Sequence, residues 1–174
     1  RLHLAFLLHR RPGLKKITWM TPQQPDPAAG RAPPAVARER KAAAPVLERA
    51  RGDVRIAVAA ADGVSRLKTL YQSGSAKVRL PRVPTGGAPE LVLLNTAGGL
   101  TGGDRLAWRL EVGVGAAAVA TSQAAERIYR RSGGVAEIET ALSVGTGARL
   151  DWLPQETILF DRSAVSRRLV ADLD

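Results

Sequence analysis

A chain of 174 residues carries 26 Lys/Arg against 16 Asp/Glu, a net charge of +10, with no cysteine and two histidines. That length supports one domain with a real core, and the lack of thiols excludes disulfides, zinc–thiolate sites and cysteine nucleophiles. Both imidazoles, His3 and His9, lie near the first residue, so the rest of the chain has no Ser-His-Asp arrangement and no histidine metal cage.

The charge is uneven. Residues 1–52 hold 11 basic and 3 acidic residues, whereas residues 53–174 hold 15 and 13. The basic excess therefore belongs to the N-terminal segment, and a phosphate-binding body is not implied. The apolar run Leu2–Leu8 is too short to span a bilayer. Its positive charges mostly follow it (Arg10, Arg11, Lys15, Lys16), opposite to a secretory signal. No export signal and no membrane span are expected, and a cytoplasmic location fits the absence of cysteine.

Six of the eleven prolines fall between Pro22 and Pro45, in the Pro/Ala/Arg-rich run that ends the first segment. Such composition buries too little apolar surface to offset chain entropy. Residues 1–52 are expected to be disordered, with a short helix near Val46–Ala50, and residues 53–174 to form a β domain. Met20, the only methionine, is a candidate start, which would make residues 1–19 non-native.

From Asp53 the pattern alternates with period two. Val54, Ile56 and Val58 share one face; Leu106, Trp108, Leu110, Val112 and Val114 share another, with Arg105, Arg109 and Glu111 between them. Val135–Val144, Leu150–Trp152, Ile158–Phe160 and the segment from Val165 with Arg167, Leu169 and Ala171 follow. Glycine pairs punctuate these runs. Alternation of this kind predicts half-buried strands in antiparallel sheets, an all-β body. Thr121 or Ser122 could cap a short helix over Gln123–Arg131 that Gly133 ends; the alternative is that the preceding strand continues. The chain stops at Asp174 inside an alternating segment, where a cut sheet would expose an edge, so a longer protein truncated at its C-terminus is expected.

The loop Leu93–Asp104, LLNTAGGLTGGD, concentrates Gly98, Gly99, Gly102 and Gly103 beside one carboxylate. It lacks the Lys of a phosphate loop and the spacing of a dinucleotide fingerprint, and Asp104 would repel phosphate. Either it presents Asp104 to a ligand or Asp104 simply bonds the local backbone. Lys77, Arg79 and Arg82 alternate around Val78 and Leu80, giving a strand with one basic face: a solvated surface, or a dock for an acidic partner. Asp151, Glu156 and Asp161 surround two aromatics, but nothing in the spacing makes them an acid–base pair.

NTAGGLTGGD, ATSQAAERIYRRSGG and LDWLPQETILFD, preceded by YQSGSAKVRLPR, together resemble the UreD (UreH) urease accessory proteins from about Val54 to Asp174. Residues 1–52 carry no resemblance. The likeness implies a non-enzymatic maturation factor that binds apo-urease and UreF, with the GTPase UreG joining through UreF, in a hetero-oligomeric complex that inserts nickel. It implies a largely β fold of strands stacked in a helix-like arrangement, with one or two short helices. It also implies an interior passage, along which nickel would bind only transiently and no cofactor would be held tightly. Asp104, Thr121, Glu126 and Arg127 fall in the matched blocks as candidates for that passage, with Asp104 the candidate metal contact. Lys77, Arg79, Arg82 and Tyr129 are candidate docking residues. Oxygen ligands release nickel more readily than imidazole or thiolate, which suits transit. Two rival readings are a carboxylate-based hydrolase using Asp151, Glu156 or Asp161, and an anionic-surface or nucleic-acid binder using the basic segment 31–51.

Overall fold

The computed structural model describes residues 6–8, 16–20, 48–82 and 87–174. Strands β3 (Arg51–Ala61), β7 (Arg105–Val112), β10 (Ala136–Val144) and β13 (Val165–Leu173) lie side by side in one sheet. A second sheet takes β6 (Glu90–Asn95), β8 (Ala117–Ser122) and β11 (Arg149–Leu153), and a third pairs β9 (Glu126–Ile128) with β12 (Thr157–Leu159). From β7 onward the chain visits the three sheets in rotation. One circuit is β7–β8–β9, and the next, β10–β11–β12, stacks on it in parallel register. Arg105 pairs with Glu137, Ala117 with Arg149 and Glu126 with Thr157.

Period-two alternation is the same in parallel and antiparallel strands, so it could not reveal this pairing direction. Short turns such as Gly113–Ala116 pass the chain to another sheet instead of reversing it, and the circuit itself serves as the crossover that parallel strands require. The antiparallel expectation holds only at the margins. The hairpin of β3 with β4 (Val64–Gly74) is antiparallel, as is β5 (Ala76–Arg79) on β6. Two edge strands, β1 (Phe6–Leu8) on β11 and β2 (Lys16–Met20) on β13, are antiparallel too. Apart from those two strands, residues 1–47 lie outside the described residues, and with them falls most of the expected disordered segment. Of the short helix expected near Val46–Ala50, residues 48–50 are described and are not helical, leading directly into β3. The β body begins at Arg51, two residues before the expected boundary.

Stacking aligns the inward residues in columns. Val54, Trp108, Thr140 and Leu169 share one; Ile56, Leu110, Leu142 and Ala171 share the next. Leu91 and Trp152 flank Ala120 on the facing sheet. All but Leu169 are buried, and the outward positions carry the charges, including the Asp53–Arg109 ion pair at 2.9 Å. Each fully buried Leu or Val contributes roughly 1.5–3 kcal/mol relative to exposure. Among the described residues no helix forms. Residues 123–124 are a bend and Glu126–Ile128 is a strand, because the Leu100 amide donates to Arg127 O and the Tyr129 amide to Leu100 O, both at 2.7 Å. Tertiary pairing overrides the helical option there, and the Glu126–Arg130 spacing loses its helical meaning.

Candidate functional site: a cavity between the sheets

The glycine-rich loop folds onto the third sheet. Leu100 bridges Ile128 in parallel fashion, and the Gly98–Gly99 turn lies against the Tyr129 ring. A Cβ at Gly102 would overlap the Gly133 carbonyl oxygen, so the second glycine pair exists to let two backbones touch. Asp104 is 5% exposed. Its Oδ2 accepts the Thr101 amide at 2.7 Å, and its Oδ1 accepts the Ala50 amide at 2.8 Å. Both carboxylate oxygens are thus engaged by backbone, and the side chain holds the turn and the entry to β3 together. Asp104 does not line the cavity described next.

That cavity, of about 270 Å³, lies between the two large sheets, with residues 122–127 at one side. Its apolar walls include Trp108, Ile138 and Leu169 from one sheet and Leu93 and Trp152 from the other. Its polar lining is Asn95, Ser122, Gln123, Glu126, Gln155 and Arg167, with Thr140 on the wall. Asn95 Nδ2 donates to Glu126 Oε1 at 3.0 Å. Burial pushes the Glu126 carboxyl above its ordinary value, while the Asn95 hydrogen bond, the nearby Arg167 charge and the Arg127 backbone pull it back. Burial likewise lowers Arg167, opposed by Glu126. Arg167 Nη1 donates to Thr157 Oγ1 at 2.7 Å, which ties β13 to the third sheet.

Of the sequence candidates, Glu126 and Gly98 line this cavity; Arg127 borders it but, alternating with Glu126 in β9, is itself exposed on the outer face. Thr121 lies next to it in sequence, but its hydroxyl is committed to Leu153 O at 2.8 Å. Lys77 and Arg79 occupy β5, the edge of the second sheet, with Ala76 and Val78 turned inward as the alternation required; Arg82 follows, exposed. Tyr129 is exposed beside β9. The site therefore separates into an interior cavity and distinct outer surfaces. Arg167, Asn95 and Gln155 were missed as site residues. Arg167 had a signal: it sits in an apolar column, in register with Ile138 and Leu106, where an arginine has no packing purpose.

The carboxylates of the hydrolase reading do not converge. Asp151 is held bidentate by Arg149 at 2.9 and 2.7 Å, Glu156 is exposed, and Asp161 pairs at the surface with Arg162. None of the three lines the cavity. The basic segment of the surface-binding reading lies outside the described residues up to residue 47. Among the described residues, no helix is long and apolar enough to cross a membrane.

Stacked three-sheet circuits with a cavity between the sheets define a β scaffold. The family model described as UreD urease accessory protein matches residues 50–174. The chain belongs to the UreD urease accessory protein family. It is 55% identical over 127 residues to a urease accessory protein UreD of Rhizobium leguminosarum bv. trifolii, covering 73% of this chain and 46% of that protein. A UreD of Cereibacter sphaeroides is 58% identical over 122 residues, 70% of this chain and 44% of the relative. A UreD of Brucella suis is 54% identical over 128 residues, 74% and 46% respectively. The chain thus spans about half the length of the curated relatives it matches. They are named as accessory proteins, not as catalysts.

Proposed function

We propose that the protein is a non-catalytic scaffold and nickel-delivery subunit for urease maturation. It binds apo-urease and UreF, engages UreG through UreF, and passes nickel through its interior without retaining it. The observation that carries this reading is the cavity between the sheets with Glu126 among its lining. One carboxylate with amide and hydroxyl oxygens around it is a weak nickel ligand set, suited to handing a dication on. The nearby Arg167 charge offsets that of Glu126 and further weakens retention. Asp104, spent on backbone amides, supports the passage by holding the glycine loop in place instead of touching the ion. The family membership favours this role over the hydrolase, as does the separation of Asp151, Glu156 and Asp161 from one another and from the cavity.

The test is urease activation in cells lacking their own UreD, supplied with the full chain or its Glu126→Gln variant. Nickel per urease is read by mass spectrometry. Glu126→Gln is expected to lower nickel loading several-fold while binding to apo-urease and UreF persists. Unchanged loading with the variant would refute the passage through this cavity.

A further inference from the structure

Exposed apolar surface is concentrated in one place. Of the nine large apolar side chains exposed among the described residues, five are Leu153, Tyr129, Ile158, Leu159 and Phe160, on or beside the small third sheet. Parallel register sets Arg127 beside Ile158, and two residues further along each chain Tyr129 meets Phe160. The two rings lie 5.1 Å apart at 33°, and they remain 39% and 45% exposed. Between them Ile128 turns inward and is fully buried, while its register partner Leu159 lies on that same side at the sheet edge, so the outward face carries Ile158 with the two rings. Exposed clusters of this kind mark interaction sites, and Tyr, Phe and Arg are the residues enriched at protein interfaces.

Charge identifies what fits it. Arg127 and Arg130 flank the rings, are exposed, and enter none of the ion pairs formed among the described residues. The acids nearby do not cancel this charge: Glu126 bonds Asn95, Asp161 faces Arg162 at 3.6 Å, and Glu156, exposed before β12, is a single carboxylate against two arginines. We infer that this face of the third sheet docks a partner protein through an apolar ridge flanked by Asp or Glu side chains. A single-stranded nucleic acid fits less well, because Tyr129 packs on both Phe160 and Gly99, and Ile158 beside them offers aliphatic surface instead of an open ring. The assignment rests on the maturation reading above.

The full chain, its Y129S/F160S variant and its R127E/R130E variant are to be titrated against immobilised apo-urease and, separately, UreF, at low and moderate salt. For one of these partners both variants are expected to bind roughly tenfold or more weakly, as loss of central interface anchors does. Wild-type affinity for that partner should fall with salt. If circular dichroism shows the aromatic variant misfolded, the charge reversal decides alone. Wild-type binding to either partner with R127E/R130E unaffected would overturn the docking face and leave the maturation role intact. Wild-type binding to neither would overturn both. Self-association of the chain, or RNA binding, abolished by R127E/R130E while partner affinities persist would also overturn the assignment.

Discussion

Asp104 offers a sharp test of the fold's energetics. It is buried, and each oxygen accepts one backbone amide, from Thr101 at 2.7 Å and Ala50 at 2.8 Å. Hydrogen bonds to a charged acceptor contribute about 1.5–3 kcal/mol each, and a buried amide left without its acceptor carries a desolvation penalty as well. Asp104→Asn keeps one acceptor and turns an NH2 donor toward the other amide, so it should cost about 2–3 kcal/mol. Asp104→Ala strands both amides and should cost roughly 3–6 kcal/mol. A domain of this size loses roughly 4 °C in Tm per kcal/mol, which places the Asn variant about 8–12 °C below wild type. Calorimetry or circular dichroism on the full chain measures the shift, and hydrogen exchange reads the Thr101 and Ala50 amides directly. A Tm for Asp104→Ala within about 2 °C of wild type, with both amides still protected, would refute the clamp and return Asp104 to the candidate ligands.

Other outcomes follow from the same geometry. Gly102→Ala drives a methyl into the Gly133 carbonyl, so it should yield little folded protein, whereas Gly133→Ala, with open space at its Cβ, should fold and melt close to wild type; equal melting of the two would contradict the close approach. Ile128→Ala empties a fully buried position under the third sheet and should cost about 2–5 kcal/mol in urea unfolding. A carboxyl raised on folding, as Glu126 is by burial, contributes stability that is full below its unfolded value and is lost as pH rises through the higher folded value. Glu126→Gln should therefore flatten the fall in urea midpoint from about pH 4.3 upward; parallel wild-type and variant profiles would show that the burial has no such effect. Replacing Arg167 with Met removes both the Thr157 bond and the charge opposing Glu126, so the Glu126 carboxyl should titrate higher by NMR than in wild type.

The strand content was legible in the sequence, since alternating Val54, Ile56 and Val58, or Leu106, Trp108 and Leu110, can bury one face only as strands. The inward character of Ala76 and Val78 under Lys77 and Arg79 followed from the same alternation, and so did the position of Arg167 on an apolar face, although its meaning did not. Glycine pairs marked the turns. What alternation cannot carry is direction or partner. Whether β7 meets β10 in parallel depends on where the chain goes between them, and that is decided by which sheet each short turn feeds. The same holds for Gln123–Arg131, where local capping allowed a helix as readily as a strand, and pairing to Leu100 and β12 made Glu126–Ile128 a strand. Site chemistry divided similarly. Residue type alone ruled out thiol and imidazole chemistry in the β body. Only the tertiary structure assigned Asp104 to backbone amides 3 and 54 residues away and Glu126 to an interior cavity with Arg167. Two carboxylates that look equivalent along the chain differ in role because a hydrogen-bond partner is set by proximity in space, which composition and spacing do not encode.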